Sequence, residues 1–239
     1  MTVVARKALA ELLGTALLIV AVIGSGIAAS RMSPGDVGLQ LFENAAATAG
    51  ALIALILAFG PVSGAHFNPV VTLADRVFGG ISNRDAVVYV VAQVTGGALG
   101  ALVANAMFGL ATFELSTKAR SSGPLWLAEV VATFGLLITI FGVVRSGRAS
   151  VAPFAVGAYI GSAYFFTSST SFANPAVTVA RMLSNSFAGI EPSSVPAFVI
   201  AQVVGAALAI GAIAVLYPRV RDSARQVVVP HVVDEEVVT

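Results

Sequence analysis

Two asparagine–proline pairs, Asn68-Pro69 and Asn174-Pro175, stand in strongly apolar surroundings, and each is followed by a small apolar residue and Val-Thr. Asparagine is a favoured N-cap, and proline at the next position gives up only an N–H that a helix leaves unpaired anyway. Each pair therefore starts a helix and places the positive end of that helix's dipole there. The chemistry available is donation: two carboxamides and two positive dipole ends that repel cations yet can hydrogen-bond a neutral oxygen. Two acidic residues, Glu11 and Glu129, lie inside apolar runs, where a charge is by default functional or paired. No nucleophile–base set or metal cluster is visible, and the chain has no Cys, so no enzyme chemistry or cofactor is expected.

The elements that must carry these residues follow from composition. Of 239 residues 57% are hydrophobic and 10% charged, with a mean hydropathy of +0.93, far from the roughly 25% charge of a soluble domain. An integral membrane protein is expected. The net charge of +1 gives no case for nucleic acid. Six stretches, about 8–29, 43–60, 84–108, 124–144, 151–167 and 195–217, are long enough to cross hydrocarbon, which takes roughly 20 residues. Each asparagine–proline pair is followed by only about ten helix-compatible residues, or ~15 Å of helix, half the hydrocarbon thickness. These are re-entrant half-helices.

Three landmarks recur in order: AELLGT at 10–15 with AEVVAT at 128–133, NPVVTLADR at 68–76 with NPAVTVARM at 174–182, and VAQVTGGALGAL at 91–102 with IAQVVGAALAIG at 200–211. The fold expected is all-α, with six transmembrane helices and two half-helices in an inverted repeat. Three spans per half make the second half enter from the opposite face, so the half-helices meet near the midplane. We read residues 1–217 as one channel domain (repeat one about 8–108, repeat two about 124–217) and 218–239 as a cytoplasmic C-terminal tail. Arg6, Lys7, Arg76, Arg84, Arg145, Arg148, Arg219, Arg221 and Arg225 then face inward, against Arg31, Lys118, Arg120 and Arg181 outside, which predicts both termini in the cytoplasm of a cell-membrane protein.

Together these motifs, with SGAHFNP and the landmarks Gln93 and Gln202, make the chain resemble the aquaporin (major intrinsic protein) family over about residues 8–217. The resemblance implies one pore per protomer, a homotetramer in a lipid bilayer, and a midplane junction built from Asn68, Pro69, Val70, Asn174, Pro175 and Ala176. Val70 departs from the usual alanine. It also implies that Glu11 and Glu129 accept hydrogen bonds from the re-entrant loops, and that Gln93 and Gln202 tie spans to loops. By the family's spacing the selectivity filter falls on Thr48, Ser162, Ser171 and Val177, the last at the usual arginine position. That filter is wide, hydroxylated, and neither charged nor aromatic. Tyr159, Tyr164, Phe165 and Phe166 read as lipid-facing or packing groups. Arg181, one turn beyond Val177, either supplies displaced positive charge to an outer vestibule or anchors the half-helix at the interface. His66 borders the opposite end of the pore. The expected function is passive passage of small uncharged solutes: metalloid hydroxides such as arsenous acid, methylated arsenicals, glycerol-like polyols and water. A strict water channel and a coupled secondary transporter are the alternatives.

Overall fold

A computed structural model describes residues 2–218. The tail read at 218–239 lies outside the described residues apart from Pro218. Eight α-helices follow in order: α1 Val3–Met32, α2 Val37–Ser63, α3 Pro69–Phe78, α4 Asn83–Met107, α5 Gly123–Arg145, α6 Ala152–Phe166, α7 Pro175–Arg181 and α8 Val195–Leu216. Short 3-10 turns precede α6 and α8. All but α3 and α7 belong to segments long and apolar enough to cross a membrane. α1 and α2 run several residues beyond the apolar stretches 8–29 and 43–60 that predict them, while the other spans lie within about a residue of theirs at each end. Thr2 caps α1, Asp36 caps α2 and Ser82 caps α4, each through its side-chain oxygen.

The core is built from helix pairs that approach closely through small residues. α1 packs on α4, and a Cβ on Gly96 or Gly100 would come within 2.2 or 2.3 Å of the carbonyl oxygens of Leu12 or Ala16. In the second half α5 packs on α8, and a Cβ on Gly205 would meet the Val130 carbonyl at 2.5 Å. Without water to expel, such close backbone contact is what drives helix association in lipid. Large apolar side chains such as Leu13, Leu17, Phe42, Leu57 and Ile200 point outward instead, as expected of surfaces facing lipid or another protomer.

Candidate functional site: the junction of the half-helices

Asn68 and Asn174 each take extended backbone and cap their half-helix with the side-chain carbonyl. Asn68 Oδ1 accepts from Val70 N at 3.0 Å, and Asn174 Oδ1 from Ala176 N at 3.0 Å and Val177 N at 3.3 Å. Each carboxamide then reaches across to the other half. Asn68 Nδ2 donates to Ala173 O and Asn174 Nδ2 to Phe67 O, both at 2.8 Å. A carboxamide nitrogen carries two protons, so each asparagine keeps one N–H for the cavity it lines. Proline follows each asparagine at the first helical position. Val70 and Ala176 are buried behind the junction, at 1% and 0% exposure.

The loops that aim these groups are strained. Ala65 and Phe67 before Asn68, and Ser171 and Ala173 before Asn174, hold positive φ between 47° and 51°. Such residues cost on the order of 1–3 kcal/mol each and persist only when their surroundings over-determine them. The two buried glutamates provide that constraint. Glu11 accepts from His66 N (3.0 Å), Phe67 N (2.7 Å), Ser63 Oγ (2.6 Å) and Gln93 Nε2 (2.8 Å). Glu129 accepts from Phe172 N and Ala173 N (both 2.9 Å) and Gln202 Nε2 (2.7 Å). The glutamines also hold the half-helix threonines: Gln93 Nε2 donates to Thr72 Oγ1 at 3.0 Å and Gln202 Nε2 to Thr178 Oγ1 at 2.8 Å. Both threonines bond back to the asparagine carbonyl four residues earlier. One motif is thus built twice.

A cavity of about 60 Å³ passes the junction. Its walls are apolar on one side, with Leu52 and Ile56 of α2 facing Val156 and Ile160 of α6, and polar where the asparagines and loops reach it. At the α7 end it is bounded by Thr48, Tyr164, Ser171, Phe172, Val177 and Arg181, and His66 also lines it beside the α3 loop.

This arrangement corrects the filter read from spacing. Ser162 is exposed, and its hydroxyl bonds Ala158 O on its own helix at 2.8 Å. On α6 the cavity face runs through Val156, Ile160 and Tyr164 at intervals of four, so position 162 points to the opposite side. Tyr164, read from sequence as a packing or lipid-facing group, is buried and pairs with Thr48 Oγ1 through its hydroxyl at 3.1 Å. Tyr159, Phe165 and Phe166 do not line the cavity. The expectation of an uncharged, non-aromatic constriction therefore fails at two places, because Arg181 lines the cavity as well. It is 2% exposed and donates from Nε to Ala188 O. Its guanidinium carbon is 3.5 Å from the Phe172 ring centroid. An interfacial anchor would keep its charge in water, and this one does not.

Sequence reading passed over Arg120 as a site residue. It lies in the segment between α4 and α5, is 8% exposed, and donates to Gly189 O at 2.9 Å while sitting 5.0 Å from the same Phe172 ring. Burial pushes its pKa down to about 10, partly offset by Glu129 and Tyr164. Lys118 nearby is pushed down to about 8, by burial first and then by Arg120 and Arg181. Neither Arg120 nor Arg181 has a carboxylate within ion-pair distance among the described residues. No motif marks Arg120, since only the tertiary fold brings it to the loop.

Comparison with known proteins agrees with this architecture. The sequence profile of the Major intrinsic protein family matches residues 1–173. The chain is 46% identical over 221 residues to the aquaglyceroporin AqpS of Rhizobium meliloti (strain 1021), covering 92% of this chain and 94% of that one. It is 32% identical over 233 residues to the probable aquaporin AqpM of Archaeoglobus fulgidus, covering 86% and 94%. The X-ray structure of the aquaglyceroporin from Plasmodium falciparum superposes with a TM-score of 0.68 at 19% identity, over 91% of this chain and 98% of that one, a likeness of fold. Six membrane-crossing helices and two half-helices meeting at paired asparagines define a multi-pass membrane protein of the channel type. The chain belongs to the major intrinsic protein family.

Proposed function

We propose that the protein is a passive channel for small uncharged solutes: water, glycerol-like polyols, and metalloid hydroxides such as arsenous acid and its methylated forms. One observation carries this reading. Two helix N-termini and two asparagine N–H groups meet at one cavity that has an apolar wall of Leu52, Ile56, Val156 and Ile160. Positive dipole ends in a low-dielectric interior oppose cations and a proton-conducting water chain, while the free N–H groups replace hydration for a neutral hydroxyl. Val177 at the usual arginine position leaves room for solutes larger than water. Thr48, Tyr164 and Ser171 supply hydroxyls at the same constriction, and the Ser171 Oγ has no hydrogen-bond partner among the described residues. Kinship with an aquaglyceroporin over nearly the whole chain supports the choice of polyols over water alone.

Residues 1–217 serve as one channel domain. The lysine and arginine distribution favours both termini in the cytoplasm and the Arg181 end outside. The outward apolar faces fit a homotetramer in a cell membrane, with each protomer carrying its own pore. Stopped-flow light scattering on proteoliposomes tests the function by comparing water, glycerol and arsenous acid with empty vesicles. Linear, non-saturating flux with a low temperature dependence is expected. Saturable, gradient-coupled uptake would instead indicate a secondary transporter.

A further inference from the structure

The α7 end of the cavity carries more positive charge than the surrounding fold neutralises. Arg181 lines the cavity there and is 2% exposed. A guanidinium has five N–H donors, and the one hydrogen bond this side chain makes is from Nε to Ala188 O. Its two terminal amino groups, the fork that matches an oxyanion, have no acceptor among the described residues. Ser171 lies on the same stretch of lining and is also 2% exposed. Its Oγ has no hydrogen-bond partner among the described residues.

Two further cations stand close by. Arg120 shares the Phe172 ring with Arg181, and it donates Nε to Gly189 O at 2.9 Å and Nη1 to Ser169 O at 3.4 Å. Lys118 donates Nζ to Phe187 O at 2.7 Å. The nearby acids are turned to other groups. Glu129 accepts from the loop amides and Gln202, Glu191 from Ser194 Oγ at 3.2 Å, and Glu114 from Asn185 Nδ2 at 3.3 Å. None of the three lies within ion-pair distance of these cations among the described residues. Buried charge without a counter-charge is costly, and an anion drawn from solvent would offset it.

We propose that this mouth of the pore binds a small planar oxyanion of the carboxylate type, held by the Arg181 fork and the Ser171 hydroxyl, and that the bound ion blocks the passage of neutral solutes. A guanidinium can give two parallel hydrogen bonds to a flat anion, which favours carboxylate or nitrate over spherical chloride. Arg120 does not line the cavity; with Lys118 it acts through its field, which raises the anion's local concentration. Further in, the wall of Leu52, Ile56, Val156 and Ile160 offers an ion no donors. The ion therefore stays where the arginine holds it.

This rests on the channel reading, and two measurements separate them. The first is binding of 13C-formate to the full chain in detergent, followed by NMR at about pH 7.5, where formate is ionised. The titration should saturate, and nitrate should compete where chloride at the same ionic strength does not. Arg181→Lys keeps the charge but loses the fork, and should weaken binding about tenfold. Ser171→Ala removes one hydroxyl and should weaken it about fivefold. The second measurement is water permeability of proteoliposomes with the anion at equal concentration on both sides. Flux should fall about threefold, relative to chloride, at an anion concentration about twice the dissociation constant from the titration. Nitrate should block as formate does, which separates block by the ion from any effect of neutral formic acid. Each variant is read as the ratio of flux with and without the anion, so a change in its basal flux does not enter. Absence of saturable binding, binding that either variant leaves intact, equal block by chloride, or binding without block overturns the proposal. Formate binding as described in a protein that passes no water with or without the anion would count against the channel reading instead.

Discussion

Arg181 lies with its guanidinium carbon 3.5 Å from the Phe172 centroid, and Arg120 approaches the same ring at 5.0 Å. Phe172 N in turn donates to Glu129 at 2.9 Å. The buried Arg181 charge lies one helical turn beyond Val177 on the cavity lining, and an aromatic ring of the re-entrant loop packs against it. Charge–ring contacts of this kind are worth about 2 kcal/mol when desolvated.

A displaced charge should still act as a barrier. A unit charge at about 4 Å exerts roughly 4 kcal/mol in a medium of effective dielectric 20, so Arg181→Met should raise cation leak about tenfold or more. Potassium and proton flux into proteoliposomes reads this directly. Unchanged leak and unchanged solute flux would return Arg181 to a purely packing role.

Placing an arginine one turn earlier tests size selection. Val177→Arg fills the cavity beside Thr48 and Ser171, so glycerol and arsenous acid permeability should drop about tenfold while water drops far less, a difference of roughly 1.4 kcal/mol in barrier. Equal loss for every solute would show that Val177 does not set the width.

Tyr164 and Ser162 separate the two readings of α6. Tyr164→Phe removes the hydroxyl that meets Thr48 and should lower polyol flux about fivefold, one neutral hydrogen bond being worth about 1 kcal/mol. Ser162→Ala, on the opposite face, should leave water and glycerol permeability unchanged. The reverse pattern, read in the same stopped-flow traces, would reinstate Ser162 in the filter.

Glu129→Gln tests the loop support. The carboxylate accepts three hydrogen bonds and holds Ala173 at positive φ. Exchanging it for an amide that is half donor should destabilise the fold by about 3 kcal/mol. Lower thermal stability in detergent and reduced flux should appear together. Flux lost at full thermal stability would mean that Glu129 acts on the solute path rather than on the fold.

How far the sequence foretold this depends on the scale of the signal. Half-helices could be read from Asn68-Pro69 and Asn174-Pro175 because capping is local and the length available after each pair is short. Glu11 and Glu129 stood out as charges in apolar runs, and both hold the loop amides. The repeat landmarks Gln93 and Gln202 bond those glutamates and the half-helix threonines rather than the loops themselves. The α6 assignment failed because counting back from Asn174 fixes a residue number and not a helical face. The 3.6-residue period puts Ser162 opposite the row that includes Tyr164. Arg120 gave no signal as a site residue, since its neighbour Phe172 reaches it only through the folded loop.

The reciprocal bonds from Asn68 to Ala173 and from Asn174 to Phe67 join points more than a hundred residues apart. Until residues 173 and 174 are in place, the Asn68 carboxamide therefore lacks its cross-half acceptor, and the first positive-φ loop has only the contacts of its own half, those to Glu11 among them. A selective junction does not exist until the seventh helix has emerged and turned back into the membrane. On the channel reading, exclusion of ions at this junction is thus a product of assembly rather than of either half alone.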